Sequence, residues 1–410
     1  MSVLVIGGGA AGMVAAWRAA SAGHRVVLLE ANGKLGVKLR ISGGGKCNIT
    51  HDGPVKEVLA AFPKDQARFL RPAVHRFTNA DVVALLRREG VDTYTRDNGR
   101  VFPMDRPGSA AAVVAAFQAI VERAGVDVRF KSRVAGLEGR APRLTAVVLE
   151  DGTRLEAEAL ILACGGASYP ETGTRGEALG WLKALGLPVR PWFPALAPIP
   201  LKRPRPEWEG VALRDGRLWL RAGAEGKRLA DFAGDLVFTR EGISGPAALE
   251  LSQAAEAARR AGAAWLGYAS VAGTPEAVDA EVLAEMKSNP QLKAVTWLQR
   301  HLPERLCEPL VQGAGMAPDQ RLKDLPKAGR RALVAAVTEL PLGEPGAVNL
   351  ARGEVAAGGL KLEAVDPQTL RVKGFDNLWV CGEALDIDGP VGGYNLQAAF
   401  STGFVAGELG

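Results

Sequence analysis

An α/β fold built on a parallel sheet, with an inserted domain of small β-sheets and helices, is what this 410-residue sequence predicts. Three observations carry the prediction. The first thirty residues read as strand, glycine turn, helix, strand, acid. Two later apolar strands run straight into glycines, and a proline-rich composition shift sets the middle of the chain apart from both ends.

The opening unit is Val3-Leu4-Val5-Ile6, Gly7-Gly8-Gly9-Ala10-Ala11-Gly12, an alanine-rich stretch, then Val26-Val27-Leu28-Leu29-Glu30. Gly7, Gly9 and Gly12 hold the positions that a dinucleotide-binding turn requires, for the tight turn, close approach to a diphosphate, and packing of helix on sheet. The diphosphate would sit on the positive N-terminus of the helix. Glu30, eighteen residues beyond Gly12, places a carboxylate where it can accept from a ribose. In a chain with 50 glycines the GxGxxG pattern alone is weak, and an ordinary turn is the bland alternative. Here strand, helix, strand and acid all match around it. A second glycine loop, Arg40-Ile41-Ser42-Gly43-Gly44-Gly45-Lys46-Cys47-Asn48, follows the acid, and no second GxGxxG appears downstream. That favours FAD bound along its length over NAD alone.

Further along, helical apolar spacing predicts helices over 80–89 and 109–124, ended by Gly90 and Gly125. Between them 94–96 and 100–103 flank Asp97-Asn98-Gly99, where Asn-Gly supplies the positive φ angles of a hairpin turn. Residues 126–134 read as a strand, and 144–149 with 154–157 as a hairpin around Asp151-Gly152. The apolar strand 159–164 runs into Gly165-Gly166-Ala167-Ser168-Tyr169-Pro170, where a backbone without side chains can approach a ligand or simply turn. Seven prolines over 188–206 predict an extended linker leaving the nucleotide domain.

The inserted region opens with short alternating segments over 210–239, expected to form a small antiparallel sheet or barrel. Ser244-Gly245-Pro246 then starts an alanine-rich helix, either as an anion-binding N-terminus or as ordinary capping chemistry. A strand over 264–271 and mostly helical sequence over 275–340 complete it. The last segment returns to the sheet with the strand 378–383, the loop from Asp386 through Asp388 to Leu396, and an apolar helix over 397–408. This placement puts Asp388 and the Gly392-Gly393-Tyr394-Asn395 loop across the site from Gly43 and Cys47. The expected boundaries are 1–188 and 345–410 for the cofactor domain and 189–344 for the insert.

Composition sets the bounds. The longest apolar runs are strand-length, far short of the roughly 20 residues of a membrane span, and the N-terminus enters a core strand without a signal peptide's charged and apolar regions. A cytoplasmic protein with no membrane partner is expected. Cys47, Cys164, Cys307 and Cys381 are dispersed, and with His24, His51, His75 and His301 they show no metal-ligand spacing, so no metal is expected. A net charge of +5 permits RNA as a partner without requiring it. Oligomeric state is not legible.

The motifs Gly7 to Gly12, Ile41 to Asn48, Phe102-Pro103, Gly165 to Pro170, Ile243-Ser244-Gly245-Pro246, Cys381-Gly382-Glu383 and Gly392 to Asn395 occur in this order along the whole chain. Together they resemble the BaiN/RdsA-type NAD(P)/FAD-dependent oxidoreductases. The resemblance implies a Rossmann-like FAD-binding domain of the glutathione-reductase type with an inserted domain. It carries FAD contacts onto Gly7, Gly9, Gly12, Glu30, Ser42, Gly43, Gly44, Cys47, Asn48, Gly165, Gly382, Glu383, Gly392, Gly393, Tyr394 and Asn395. The flanking Ala10, Ala11, Ala31, Lys38, Lys46, Val134, Ala163 and Asp388 join the expected cofactor set. Members of the family are linked to reduction of a ribosomal RNA uridine to dihydrouridine and of a steroid enone. The chain departs from the family at Thr239-Arg240 and at Val355-Ala356-Ala357. Both departures fall on the expected substrate side and mark a distinct subgroup.

The expected reaction is hydride transfer from reduced FAD to a C=C conjugated to a carbonyl, with a protein group giving the proton. Cys47, whose pKa nearby N–H groups and Lys46 could tune, and Tyr169 are the two candidate acids; for Cys47 a small buried packing role is the alternative. RNA and a small enone are the competing substrates, NAD(P)H is a possible reductant, and a flavin-binding scaffold or redox sensor without turnover is the non-enzymatic reading.

Overall fold

The structure, a computed structural model, describes residues 1–104, 108–270 and 273–410. The chain divides into two compact units, Met1–Phe193 with Leu350–Gly410, and Pro194–Asn349.

The first unit is organised on a five-stranded parallel sheet in the order Leu378–Val380, Ala159–Leu162, Ser2–Ile6 (β1), Arg25–Leu29 (β2), Asp127–Arg129. Four of its strands are near-continuous apolar runs, as expected where helices cover both faces, while the edge strand Asp127–Arg129 is Asp-Val-Arg. The helix Ala10–Ser21 (α1) makes the crossover from β1 to β2 and packs against the helices Ser109–Arg123 and Tyr394–Ala406. Since β1 has β2 on one side and Ala159–Leu162 on the other, the chain reverses its direction of winding there. A crevice opens at the carboxyl ends of the strands at such a switch point.

Several expected elements are in place. Residues 79–88 form a helix whose Thr78 and Asp81 make a reciprocal capping box, and Thr93–Thr95 pairs with Arg100–Pro103 across the Asn98-Gly99 turn. The expected strand over 126–134 is instead two. Asp127–Arg129 joins the parallel sheet, then Lys131 takes a left-handed φ of 54° while the Lys131 and Ser132 N–H groups donate to the Asn32 and Glu30 carbonyls. Those bonds turn the chain away, and Val134–Arg140 begins a separate antiparallel sheet with Arg143–Leu149 and Arg154–Glu156. The proline-rich stretch is not an unpaired linker: Val189–Ala195 pairs with Val355–Leu360. Proline lacks the N–H a central strand needs, but a two-stranded ribbon leaves one edge of each strand unpaired. The C-terminal helix starts at Tyr394, earlier than expected, because Gly393 caps it at φ 91°.

The second unit holds two four-stranded antiparallel sheets. One runs Ile199–Pro200, Gly242–Ser244, Leu236–Thr239, Ala212–Leu213; the other runs Arg228–Ala233, Arg217–Arg221, Trp265–Ala269, Leu340–Gly343. The expected strand over 264–271 is thus shorter, and its end at Val271 lies outside the described residues. The helix Pro246–Arg260 packs on both sheets, and the helices Pro275–Ser288, Ala294–Leu298, Glu304–Gly313 and Lys327–Thr338 fill the region expected to be helical. Trp208, Trp297 and Tyr268 are fully buried in its core. Among the described residues no helix is long and apolar enough to cross a membrane.

Candidate functional site

The turn after β1 shows three glycines doing three different things. Gly7, at φ 102°, would place a Cβ 2.6 Å from the Ala163 carbonyl oxygen, so the turn lies directly on the backbone leaving the neighbouring strand. A Cβ on Gly12 would fall on the Gly7 carbonyl oxygen, and only a bare Cα lets α1 come so close to the turn. A Cβ on Gly9 would meet no atom within 4 Å. That open position lies at the N-cap of α1, whose first turn has no acidic residue and no side-chain cap. Ala10 and Ala11 begin the helix, and a Cβ on Gly382 would lie 2.8 Å from the Ala11 methyl, which brings the C-terminal strand's exit onto the same turn.

Glu30 ends β2 nearly buried, 7% exposed. Its carboxylate accepts from the Gly8 N–H at 2.7 Å, from the Asn32 N–H at 2.7 Å and from Asn32 Nδ2 at 2.8 Å, which fixes it beside the glycine turn. Asn32 also donates to the Thr172 carbonyl at 2.9 Å, tying the Tyr169–Thr172 turn to the same place. Ala31 lies between Glu30 and this amide. Val134, buried, opens the neighbouring sheet two residues after Ser132 bonds the Glu30 carbonyl.

In the second glycine loop Gly43, Gly44 and Gly45 take successive left-handed φ angles of 58°, 69° and 81°, a conformation that three side chains would resist. Ser42 hydrogen-bonds the Leu39 carbonyl, and Lys46 is exposed at the loop's end. Cys47 follows in a left-handed conformation and is fully buried. Burial pushes its thiol up to about 12, against a smaller opposite pull from the Ser42 hydroxyl, so the group is held neutral. With its amide oriented to satisfy both ends, Asn48 donates to the Val101 and Thr50 carbonyls and accepts from the Gly393 N–H at 2.9 Å. It therefore stitches this loop to the cap of the C-terminal helix.

The loop 386–395 is held from several sides. Asn395 accepts from the Gly389 N–H and donates to the Gly389 carbonyl, both at 2.8 Å, so its amide braces the loop. Asp388 is bound by the nearly buried Gln66, whose amide donates to its carboxylate at 3.1 Å and accepts from its N–H at 3.2 Å. Tyr394 stacks on His51 with ring centres 4.5 Å apart, and His51 Nδ1 lies 3.2 Å from the Gly392 carbonyl.

A polar knot joins Lys38, Ser168 and Glu383. The Lys38 ammonium donates to the Glu383 carboxylate at 2.8 Å and to the Ser168 hydroxyl, while the Ala356 N–H donates to the same carboxylate at 2.7 Å. Ser168 is completely buried beyond Gly165 and Gly166, so four chain segments meet on one partly buried ion pair. Removing one partner of such a pair leaves the others desolvated and unpaired. Lys38→Met is accordingly expected to destabilise the protein by about 2 kcal/mol, read as a lower thermal midpoint; an unchanged midpoint would show that the knot adds nothing to stability.

Tyr169 holds a left-handed φ of 51°, with its N–H donating to the Ala351 carbonyl at 3.1 Å and its carbonyl accepting from Thr172. Burial pushes its phenol up, reinforced by the charges of Glu354 and Glu171. Glu354 itself is half-buried, and burial raises its carboxyl above the usual range while Arg100 and Lys38 pull the other way.

Sequence reasoning missed Asn32, Gln66, Ser168 and Glu354 as site-building residues. Ser168 lay inside a quoted motif and Asn32 beside a glycine in a turn after an acid, so both carried a signal. Gln66 and Glu354 carried none, because the segments that meet them are more than 300 and nearly 200 residues away in the chain.

Tested against a dinucleotide, this arrangement fits. An open glycine stands at the N-terminus of a 12-residue helix, a fixed carboxylate stands at the end of β2, and both lie at the switch point of a parallel sheet.

Comparison with known proteins agrees with the geometry. The family model described as HI0933-like protein, Rossmann domain, matches residues 1–409. The ribosomal RNA dihydrouridine synthase of Escherichia coli is 30% identical over 412 residues, covering 99% of this chain and 96% of that protein. The 3-dehydro-bile acid delta(4,6)-reductase of Clostridium scindens is 28% identical over 420 residues, covering 98% and 97%. Among solved structures, a 3-ketosteroid delta1-dehydrogenase from Sterolibacterium denitrificans aligns with a TM-score of 0.53 at 15% identity, covering 99% of this chain and 98% of that one. At that identity the likeness speaks for the fold.

Proposed function

Because this chain belongs to the HI0933-like family and is an FAD-dependent oxidoreductase, we propose that it reduces a C=C conjugated to a carbonyl, in a uridine of ribosomal RNA. The observation that carries this reading is the near-complete alignment with the Escherichia coli dihydrouridine synthase. A net charge of +5 suits a polyanionic substrate. The alternative is reduction of a small enone, favoured by the similar coverage of the Clostridium scindens bile acid reductase. NAD(P)H is the proposed source of electrons. The proposed setting is the cytoplasm, where Cys47, Cys164, Cys307 and Cys381, all free, would stay reduced.

FAD, when bound and reduced, supplies a hydride to the electron-poor carbon. The chain's own residues do the rest. The N-terminus of α1 with Gly9 receives the diphosphate and Glu30 accepts from a ribose. The Gly43–Gly45 run and Gly392–Gly393 offer side-chain-free backbone, and the N-terminus of Tyr394–Ala406 favours negative charge developing near it. Of the two proposed proton donors, Tyr169 is half-buried, whereas Cys47 is fully buried with its thiol pushed up to about 12. We therefore favour Tyr169.

The test is anaerobic. The bound flavin is reduced, ribosomal RNA lacking dihydrouridine is added, and the return of oxidised-flavin absorption is followed with nucleoside mass. Reoxidation with two hydrogens gained on a uridine is the expected result. A flavin that stays reduced with RNA but reoxidises with short enones would replace the RNA reading with the small-molecule one.

A further inference from the structure

We propose that Lys64, Arg68 and Arg71, on the outer face of the helix Lys64–Arg76, form a track for the phosphates of the substrate RNA and hold a strand leading to the loop 386–395. This rests on the RNA reading above and adds to it the surface that recognises a polynucleotide.

The helix has two opposed faces. Gln66, Phe69, Leu70, Ala73 and Val74 are buried. Lys64, Arg68, Arg71 and His75 are exposed, and their spacing sets them within about 60° of arc at about 3.6 residues per turn, opposite the buried side. The line runs about 16 Å along the helix at about 1.5 Å per residue.

Helix stability does not account for these cations. Arg76 pairs with the Glu408 carboxylate at 3.0 Å, but among the described residues no carboxylate pairs with Lys64, Arg68 or Arg71. The helix dipole is already served by Asp65 in the first turn and by His75 and Arg76 in the last. Lys64 opens the helix at its positive end, where a cation is disfavoured. Three cations in line without ion-pair partners attract a polyanion, and phosphate contacts of this kind set the position of a nucleic-acid strand without reading its bases.

The inner face of the same helix reaches the site. Gln66 holds Asp388 through hydrogen bonds of 3.1 and 3.2 Å, and Phe62, just before the helix, meets the Tyr394 ring edge-on with centres 6.1 Å apart. At the far end Arg76 reaches Glu408, just past the helix Tyr394–Ala406. The two helices therefore lie side by side and run the same way. The line of cations begins level with the loop 386–395 and leads away from it, so a strand lying along it has one end at the site.

The test uses flavin-loaded protein and a fluorescein-labelled, uridine-containing RNA oligonucleotide, with binding followed by anisotropy over a range of salt concentrations. Lys64→Gln, Arg68→Gln and Arg71→Gln together are expected to lower the steepness of log K against log salt by about 2, at roughly 0.7 for each phosphate contact on a single strand. The same loss weakens binding about a hundredfold at about 0.1 M salt. Flavin content and thermal midpoint are expected to stay at wild-type values, since the three side chains are exposed. With ribosomal RNA reoxidising the reduced flavin, KM is expected to rise while kcat holds. A comparison variant removes the same charge from exposed positions elsewhere on the unit, by Arg140→Gln, Lys183→Gln and Lys361→Gln, and is expected to keep most of the wild-type steepness. Equal losses in the two variants would show that binding follows net charge, and no loss in either would put the RNA elsewhere. Both results overturn the track and leave the RNA reading standing. If wild type neither binds RNA nor is reoxidised by it, the RNA reading falls and the track with it.

Discussion

Gly12→Ala is expected to purify without flavin and to unfold well below wild type, whereas Gly9→Ala is expected to lose flavin affinity alone. The added methyl at Gly12 would fall on the Gly7 carbonyl oxygen and lie 3.3 Å from the Ala163 side chain. Both sides of that clash are backbone or packed core, so α1 must move off the sheet, at a cost of roughly 2–3 kcal/mol. At Gly9 the backbone is extended, with φ −81° and ψ −168°, and a methyl meets no protein atom within 4 Å. What it obstructs is the space over the helix N-terminus. Thermal midpoints of the cofactor-free proteins, together with flavin bound per chain, separate the two effects. A Gly9→Ala variant that binds flavin as tightly as wild type would remove the diphosphate from this turn.

The second large effect is expected in the inserted unit, at Glu256. This side chain, 1% exposed on the helix Pro246–Arg260, accepts two hydrogen bonds from Arg259, one from Arg260, and one from the Val348 N–H at 3.0 Å. The Arg259 guanidinium, more than its burial opposes, holds the carboxyl down to about 2. Its pKa is lower in the folded than in the unfolded chain, so the stabilisation is fully present above about pH 4.5 and disappears as pH falls through about 2. The amount is roughly 3 kcal/mol. Urea unfolding between about pH 5 and about pH 2 is expected to show this loss in wild type and much less of it in Glu256→Gln, which starts out less stable. Parallel curves for the two proteins would mean that other carboxylates carry the acid sensitivity.

Most of the cofactor half was legible because its signals are local. The turn Gly7–Gly12 and the acid at residue 30 are fixed by the spacing of a single βαβ unit, and the strand Ala159–Leu162 by four consecutive apolar residues. The misreadings occurred where distant segments decide. Residues 126–134 have one continuous propensity, yet hydrogen bonds from residues 131 and 132 to the end of β2 divide them. The stretch 188–206 has the composition of a linker, yet Val355–Leu360 supplies a pairing partner that no local pattern announces. The same holds at the site. Glycine motifs mark where backbone must come close, but the polar side chains that fix it, Gln66 on Asp388 or Lys38 on Ser168 and Glu383, are matched only after folding. At Cys47 the sequence left open a tuned thiol or a small buried packing residue, and the fold buries it and pushes its thiol up to about 12.

The interruption of the first unit bears on the order in which the protein can be born. Its sheet receives the strand Leu378–Val380, and α1 its partner Tyr394–Ala406, only after residues 194–349 have been made. At about 5–20 residues per second a ribosome spends roughly 8–30 s on that stretch. Throughout that interval the strand Ala159–Leu162 keeps an open edge, and the apolar face of α1 is without the helix that will cover it. The inserted unit, contiguous in sequence, has all its strands in hand before the nascent chain ends. Synthesis therefore favours the insert maturing before the cofactor half is complete. A chain cut short before Tyr394–Ala406 would leave that face of α1 uncovered.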